Sequence, residues 1–180
     1  MQFEEFKKAI KEGDLNKVKE YLNKGMDPSV KKNCIIRFAS FFGHLDIVKL
    51  LLMDNRVDPT ILNNYPIRIA SSNGHLEVVK LLLADNRVDP SSLGNLAIIR
   101  ASENGHLEVV KLLLKDYRVD PSDVDNCSIK RASKRGHVAI VKELFKDKRV
   151  RNSLRKEDIK GLIEKEYKLY KLKKLYESGV

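Results

Sequence analysis

The sequence predicts an all-α fold, a solenoid of stacked helix–turn–helix repeats with short loops, capped at both ends. Two recurrences and one absence carry that reading. The dipeptide Gly-His occurs at Gly43-His44, Gly74-His75, Gly105-His106 and Gly136-His137, 31 residues apart each time. Asn33, Asn64, Asn95 and Asn126 keep the same beat, as do Ala39, Ala70, Ala101 and Ala132, each followed by Ser, and Arg56, Arg87, Arg118 and Arg149, each followed by Val. Self-similarity at a fixed period of this size is the signature of a repeat architecture. No apolar run exceeds four residues, which leaves neither a membrane span nor the apolar core of a signal peptide. With 42% hydrophobic and 33% charged residues, the composition is that of a folded chain.

The elements follow in chain order. Residues 1–30 read as an N-terminal cap pair that starts at the acidic stretch Met1–Phe6, with helices over 3–24 turning at Gly13-Asp14-Leu15. Residues 31–152 hold four full repeats. In each, the Asn ten residues before the turn glycine suits an N-cap, because its side-chain oxygen can accept from an orphan backbone N–H. Asn95–Ser102 then forms a small, apolar-faced helix. Gly105 suits the left-handed residue that turns the chain back. His106–Leu114 forms the second helix, with Leu107, Val110 and Leu114 as its buried stripe. Asp120-Pro121-Ser122 stops that helix and opens a loop, and Asp-Pro recurs at 27–28, 58–59 and 89–90. Residues 153–180 read as basic capping helices. Tyr167 stands where the next turn glycine would fall, yet Leu169, Leu172 and Leu175 lie one period after Val138, Val141 and Leu144, with Lys168, Lys171, Lys173 and Lys174 between them. A polar outer face at each end keeps such an array soluble. The six units make one domain.

These residues resemble the ankyrin repeat, most closely at Gly74-His75-Leu76-Glu77-Val78-Val79-Lys80-Leu81-Leu82-Leu83. The resemblance covers about residues 2–150. Ankyrin units run about 33 residues and open their first helix with Thr-Pro-Leu-His. Here the unit is two residues shorter, and the motif becomes Cys34-Ile35-Ile36-Arg37, Tyr65-Pro66-Ile67-Arg68, Leu96-Ala97-Ile98-Ile99 and Cys127-Ser128-Ile129-Lys130. The Thr–His hydrogen bond usual in the family is therefore missing, and the short loop implies a compact turn in place of a β-hairpin finger. The Arg-Val-Asp-Pro-Ser style is similar to repeats of large DNA viruses of amoebae and of protists.

Chemistry-bearing residues are few. Equivalent positions of neighbouring units stack roughly 10 Å apart, whereas a Zn–N bond spans about 2.1 Å. The four histidines therefore pack between units and hold no metal. Cys34 and Cys127 lie three units apart, too far for a disulfide, and two free thiols suit a reducing, intracellular compartment, cytoplasm or nucleus. No phosphate loop, nucleophile elbow or metal-ligand spacing is present. The expectation is a protein with no catalytic residues, no metal and no cofactor. The ladder Asp54/Arg56, Asp85/Arg87, Asp116/Arg118 and Asp147/Arg149 reads as a solvated line of stacked ion pairs.

Positions that differ between units are not held by packing. The pair before each turn glycine reads Phe41-Phe42, Ser72-Asn73, Glu103-Asn104 and Lys134-Arg135. The ankyrin resemblance implies that this slot, with the loop tips, forms a concave partner-binding surface, joined by Arg37, Arg68 and Lys130 in one first-helix slot and by Arg131. That groove would be apolar at one end and basic at the other. The charge agrees: residues 1–125 carry 18 basic and 18 acidic side chains, residues 126–180 carry 17 and 7, so the net +10 lies in the last 55 residues. The leading expectation is a non-enzymatic protein–protein interaction scaffold, monomeric by default, whose partner is a protein with acidic character. The alternatives are nucleic-acid or anionic-surface binding through the basic end, where Tyr167, Tyr170 and Tyr176 are interleaved with lysines, and a structural role in a larger, virus-like assembly.

Overall fold

The computed structural model describes residues 2–162 and 164, and every regular element among them is a helix. Helix α1 (Gln2–Glu12) pairs with α2 (Leu15–Asn23). Four further pairs follow: α3 (Val30–Phe42) with α4 (Leu45–Leu52), α5 (Ile61–Ser72) with α6 (Leu76–Leu83), α7 (Ser92–Glu103) with α8 (Leu107–Leu114), and α9 (Asp123–Arg135) with α10 (Val138–Phe145). Helix α11 (Lys148–Ser153) and a helical stretch over 156–162 close the described chain. Tyr167 and the leucine stripe of the expected last capping helix lie outside the described residues. No helix among the described residues is long and apolar enough to cross a membrane.

The helices form two rows. The first helices α1, α3, α5, α7 and α9 pack in order, and so do the second helices α2, α4, α6, α8 and α10. The first row makes the more extensive contacts. Its interface is built from small residues, Ala39-Ser40, Ala70-Ser71, Ala101-Ser102 and Ala132-Ser133, all buried. Short side chains let helix axes approach closely, and the side of the array lined by this first row is its inner face. One continuous apolar core runs from Phe6 to Leu154.

In α6 and α8 the buried stripe keeps the predicted central valine but is otherwise centred elsewhere than the spacing predicts. Val109, Val110 and Leu113 are buried in α8, as are Val78, Val79 and Leu82 in α6, while Leu107 and Leu114 are half-buried. The second helix is wedged between its own first helix and the neighbouring unit, so its most enclosed face bisects those two contacts.

The repeated Asn has a different task from the expected N-cap. It ends a single left-handed turn of three residues: Lys31-Lys32-Asn33, Leu62-Asn63-Asn64, Leu93-Gly94-Asn95 and Val124-Asp125-Asn126, all with φ between 49° and 64°. Each non-glycine residue there costs about 1–2 kcal/mol. Hydrogen bonds hold the turn. The Asn N–H donates to the carbonyl of Ser29, Thr60, Ser91 or Ser122. The Asn Oδ1 accepts from a backbone N–H of the next unit: Asp58 to Asn33 at 2.9 Å, Asp89 to Asn64 at 2.9 Å and Asp120 to Asn95 at 2.8 Å. The Asp carboxylate then accepts from the N–H and hydroxyl of the residue after Pro, as Asp89 does from Ser91 at 2.9 and 2.6 Å. The compact turn is thus a left-handed one, and it staples units together.

Two more staples recur. Each histidine Nε2 donates to a carbonyl of the preceding unit: His44 to Lys11 at 3.0 Å, His75 to Phe41 at 2.9 Å, His106 to Ser72 at 2.9 Å and His137 to Glu103 at 3.0 Å. The ring lies against the preceding turn glycine. A Cβ on Gly74 (φ 77°) would stand 2.5 Å from His106 Nδ1, so this position needs glycine for its dihedral and for its missing side chain. The Asp-x-Arg ladder is less solvated than expected. Its carboxylates are only 14–19% exposed, and the arginines reach across units, Arg87 to the Val57 carbonyl at 3.1 Å, Arg118 to Val88 at 2.8 Å and Arg149 to Val119 at 2.8 Å.

Candidate functional site

The two residues before each turn glycine sit at the C-terminal ends of the first-row helices. In the left-hand column of these pairs, the backbone carbonyls of Lys11, Phe41, Ser72 and Glu103 are taken by the next unit's histidine. Across the first four pairs the main chain is therefore held alike, while the side chains differ. In the middle of the array the second column is held too. Asn73 Nδ2 donates to the Phe41 carbonyl at 2.8 Å and Asn104 Nδ2 to the Ser72 carbonyl at 2.7 Å. Asn104 also reaches the Ser72 hydroxyl at 3.1 Å.

At the N-terminal end, Phe41 and Phe42 are 42% and 39% exposed and meet edge to face, 4.9 Å between ring centres. Phe42 also stacks on His44. Both rings are at the surface, and neither is swallowed by the first helix pair. They border a pocket of about 250 Å³ whose other walls are Lys11, Arg37, Phe38 and Tyr65. The Lys11 ammonium lies 5.3 Å from the centre of the Phe38 ring, and the Arg37 guanidinium lies 5.3 Å from that of Tyr65. Arg68, from the next unit, shares Tyr65 at 5.6 Å and donates to the carbonyls of Asn63 and Leu62, both at 2.8 Å. Its side chain thereby braces the left-handed turn beside it, and burial pulls its pKa down.

At the C-terminal end, Glu103 accepts from Arg131 at 2.7 Å and Arg100 at 2.9 Å, with Arg135 at 3.5 Å. The Arg131 hydrogen bond, followed by its charge and that of Arg100, holds the Glu103 carboxyl below the usual carboxylate range. Arg131 Nε donates to Cys127 Sγ at 3.0 Å. Lys130 lies between Asp125 at 2.9 Å and Asp158 at 3.2 Å. Lys134 is exposed and makes no hydrogen bond or ion pair among the described residues.

The structure thus joins Arg37, Phe41 and Phe42 in one pocket and Glu103, Arg131 and Arg135 in one cluster. Ser72, Asn73 and Asn104 lie between them as bracing, Arg68 backs the pocket through the Tyr65 ring, and Lys130 and Lys134 stand apart. Sequence reasoning left out Lys11, Phe38 and Tyr65. Lys11 stands two residues before Gly13, as Phe41 stands before Gly43, so carrying the variable column into the first pair reaches it. Tyr65 replaces the Cys34, Leu96 and Cys127 of its slot, and Phe38 holds the slot of Arg100 and Arg131.

Cys34 is buried, Cys127 is half-buried, and both are free. Among the described residues no three His, Cys, Asp or Glu side chains are grouped as metal ligands. No curated protein matches the chain. A family model described as ankyrin repeats (3 copies) matches residues 6–92, 35–125 and 67–158, in step with the stacked helix pairs, the turn glycines and the histidine staples. The chain belongs to the ankyrin-repeat family.

Proposed function

We propose that the protein is a non-enzymatic interaction module that seats an acidic protein partner along the inner face, between the Phe41/Phe42 end and the Lys134/Arg135 end. Ankyrin repeats generally mediate protein–protein interaction. One observation supports the reading: the carbonyls of Lys11, Phe41, Ser72 and Glu103 accept the same histidine hydrogen bond while the side chains at those positions change from basic to aromatic to polar to acidic. A scaffold held constant under a varied surface is how a repeat array makes a specific groove. Exposed aromatics and arginines are the side chains that most often dominate protein interfaces. The two free thiols fit a reducing compartment. A nucleic-acid surface is the weaker reading, because Lys130, Arg131 and Arg135 already face Asp125, Asp158 and Glu103.

The test is affinity purification from the native source with the wild type and with a variant carrying Phe41→Ala, Phe42→Ala, Lys134→Glu and Arg135→Glu, its folding checked by circular dichroism. The expected result is loss of the co-purifying proteins. A folded variant that retains the full set of partners overturns the assignment.

A further inference from the structure

The pocket between the first helix pair and the next two first-row helices combines aromatic walls with cations that form no direct ion pair among the described residues. Six side chains line it: Lys11, Arg37, Phe38, Phe41, Phe42 and Tyr65. None is acidic. At the C-terminal end Lys130, Arg131 and Arg135 have carboxylate neighbours, while Lys134 stands exposed without one among the described residues. Neither Lys11 nor Arg37 has a carboxylate at ion-pair distance among the described residues, although the Glu4 charge reaches Lys11 along α1; the two cations lie over the Phe38 and Tyr65 rings. Arg37 Nε is shielded from solvent and donates to nothing. A buried donor without an acceptor is costly.

Size and polarity narrow the occupant. At about 250 Å³ the pocket is smaller than the roughly 300–1,000 Å³ of sites that enclose a whole small molecule. It has the capacity of one large side chain. Ring faces on several sides suit an aromatic or long aliphatic group, which they contact edge to face or across the ring plane. The two cations at the wall ask for an anion, and charge pairing is stronger beside apolar rings than in open solvent. A phosphate or sulfate alone would leave the rings unused, and an uncharged apolar side chain would leave the cations unanswered.

We infer that this pocket is the anchor site for a protein segment in which one large apolar side chain is followed or preceded by a carboxylate. The apolar group inserts between Phe38, Phe41, Phe42 and Tyr65, and the carboxylate meets Lys11 and Arg37. This inference rests on the inner face being a protein-binding surface and names what its N-terminal end selects.

A phage-displayed library of random peptides, selected against the full chain, tests it. Wild type is expected to enrich peptides that place Phe, Leu or Met beside Asp or Glu. A synthetic fluorescent peptide of the enriched sequence is then titrated against wild type, Arg37→Gln and Lys11→Gln. Gln at either position keeps much of the stem and removes the charge. Each substitution is expected to weaken binding by roughly tenfold, and Lys134→Gln by much less. Enriched peptides that lack carboxylates, or whose affinity is unchanged in Arg37→Gln and Lys11→Gln, overturn the anchor. If those same peptides respond to Lys134→Glu and Arg135→Glu instead, the inner-face reading stands and only the pocket falls. If they respond to no inner-face substitution, both fall. A selection that enriches no motif also overturns the anchor.

Discussion

The two ends of the inner face carry cations in opposite settings. At the C-terminal end, where the chain's whole charge excess begins, three arginines share the carboxylate of Glu103, and Lys130 lies between two aspartates. At the N-terminal end, within a charge-balanced stretch of sequence, Lys11 and Arg37 stand against rings with no acid beside them. Counting charges along a sequence locates the first end and overlooks the second. What a partner meets is charge minus its local neutralisation, weighted by how polar the surroundings are.

The largest expected contrast between the ends is in stability. Asn33 Oδ1 accepts the N–H of Asp58, whereas Asn126 Oδ1, at the equivalent place, accepts from the Ser153 hydroxyl at 3.0 Å. Asn33→Ala leaves a backbone donor without its partner and puts Ala at φ 49°, at an expected cost of about 2–4 kcal/mol. Asn126→Ala is expected to cost about half as much. Urea unfolding of the two variants checks this, and equal losses would erase the contrast.

Next in size is the response to a partner peptide. Arg37→Gln is expected to lower affinity by about 1.5 kcal/mol, and Lys134→Gln by under about 0.5 kcal/mol, the usual range for an exposed rim charge. Isothermal titration calorimetry at one salt concentration reads both.

Acid should weaken the whole array, since Asp14, Asp27 and Asp54 near the N-terminal end are also held below their ordinary values, and one substitution isolates the share of the C-terminal cluster. Glu103, Asp116 and Asp147 are held below their ordinary values, first by hydrogen bonds from Arg131, Arg118 and Arg149 respectively. A carboxylate depressed in the folded state stabilises it above the unfolded pKa, about 3.9 for Asp and 4.3 for Glu, and that contribution is lost as pH falls through the lower folded value. Thermal stability should therefore drop below about pH 4. Glu103→Gln should flatten part of that drop, while Phe41→Ala/Phe42→Ala should leave its pH dependence unchanged, since the aromatic pocket contains no carboxylate. The smallest expected effect is that Glu103→Gln makes the basic end resemble an open cationic surface. It should elute from heparin at modestly higher salt than wild type, and identical elution would show that Glu103 does not mute those arginines.

The architecture was legible because its constraints repeat. Gly74 and His106 answer each other by contact, and a contact made in every unit prints itself in every period. Leu62 and Val124 in left-handed backbone were not legible, since neither residue type favours that region; the Asn residues, Asp125 and Gly94 in the same turns hint at it. The Asn role was misread for a related reason. An Asn that caps its own helix and one that accepts from the next unit look the same locally. The pocket was half legible. Phe41 and Phe42 depart from their column within one unit, but Lys11, Arg37 and Tyr65 come from three successive units and meet only through stacking.

The pairing of a turn glycine with the histidine of the following unit has an evolutionary meaning. Each unit offers the same socket behind and carries the same plug in front. Excising residues 64–94 would bring His106 onto Gly43, Arg118 onto the Val57 carbonyl and Asn104 onto the Phe41 carbonyl, bond for bond. The array can therefore be shortened or lengthened by whole-unit recombination without a new join being invented. Such a deletion would also exchange Tyr65 for Leu96 at the aromatic pocket, so reach and taste would change in a single genetic step.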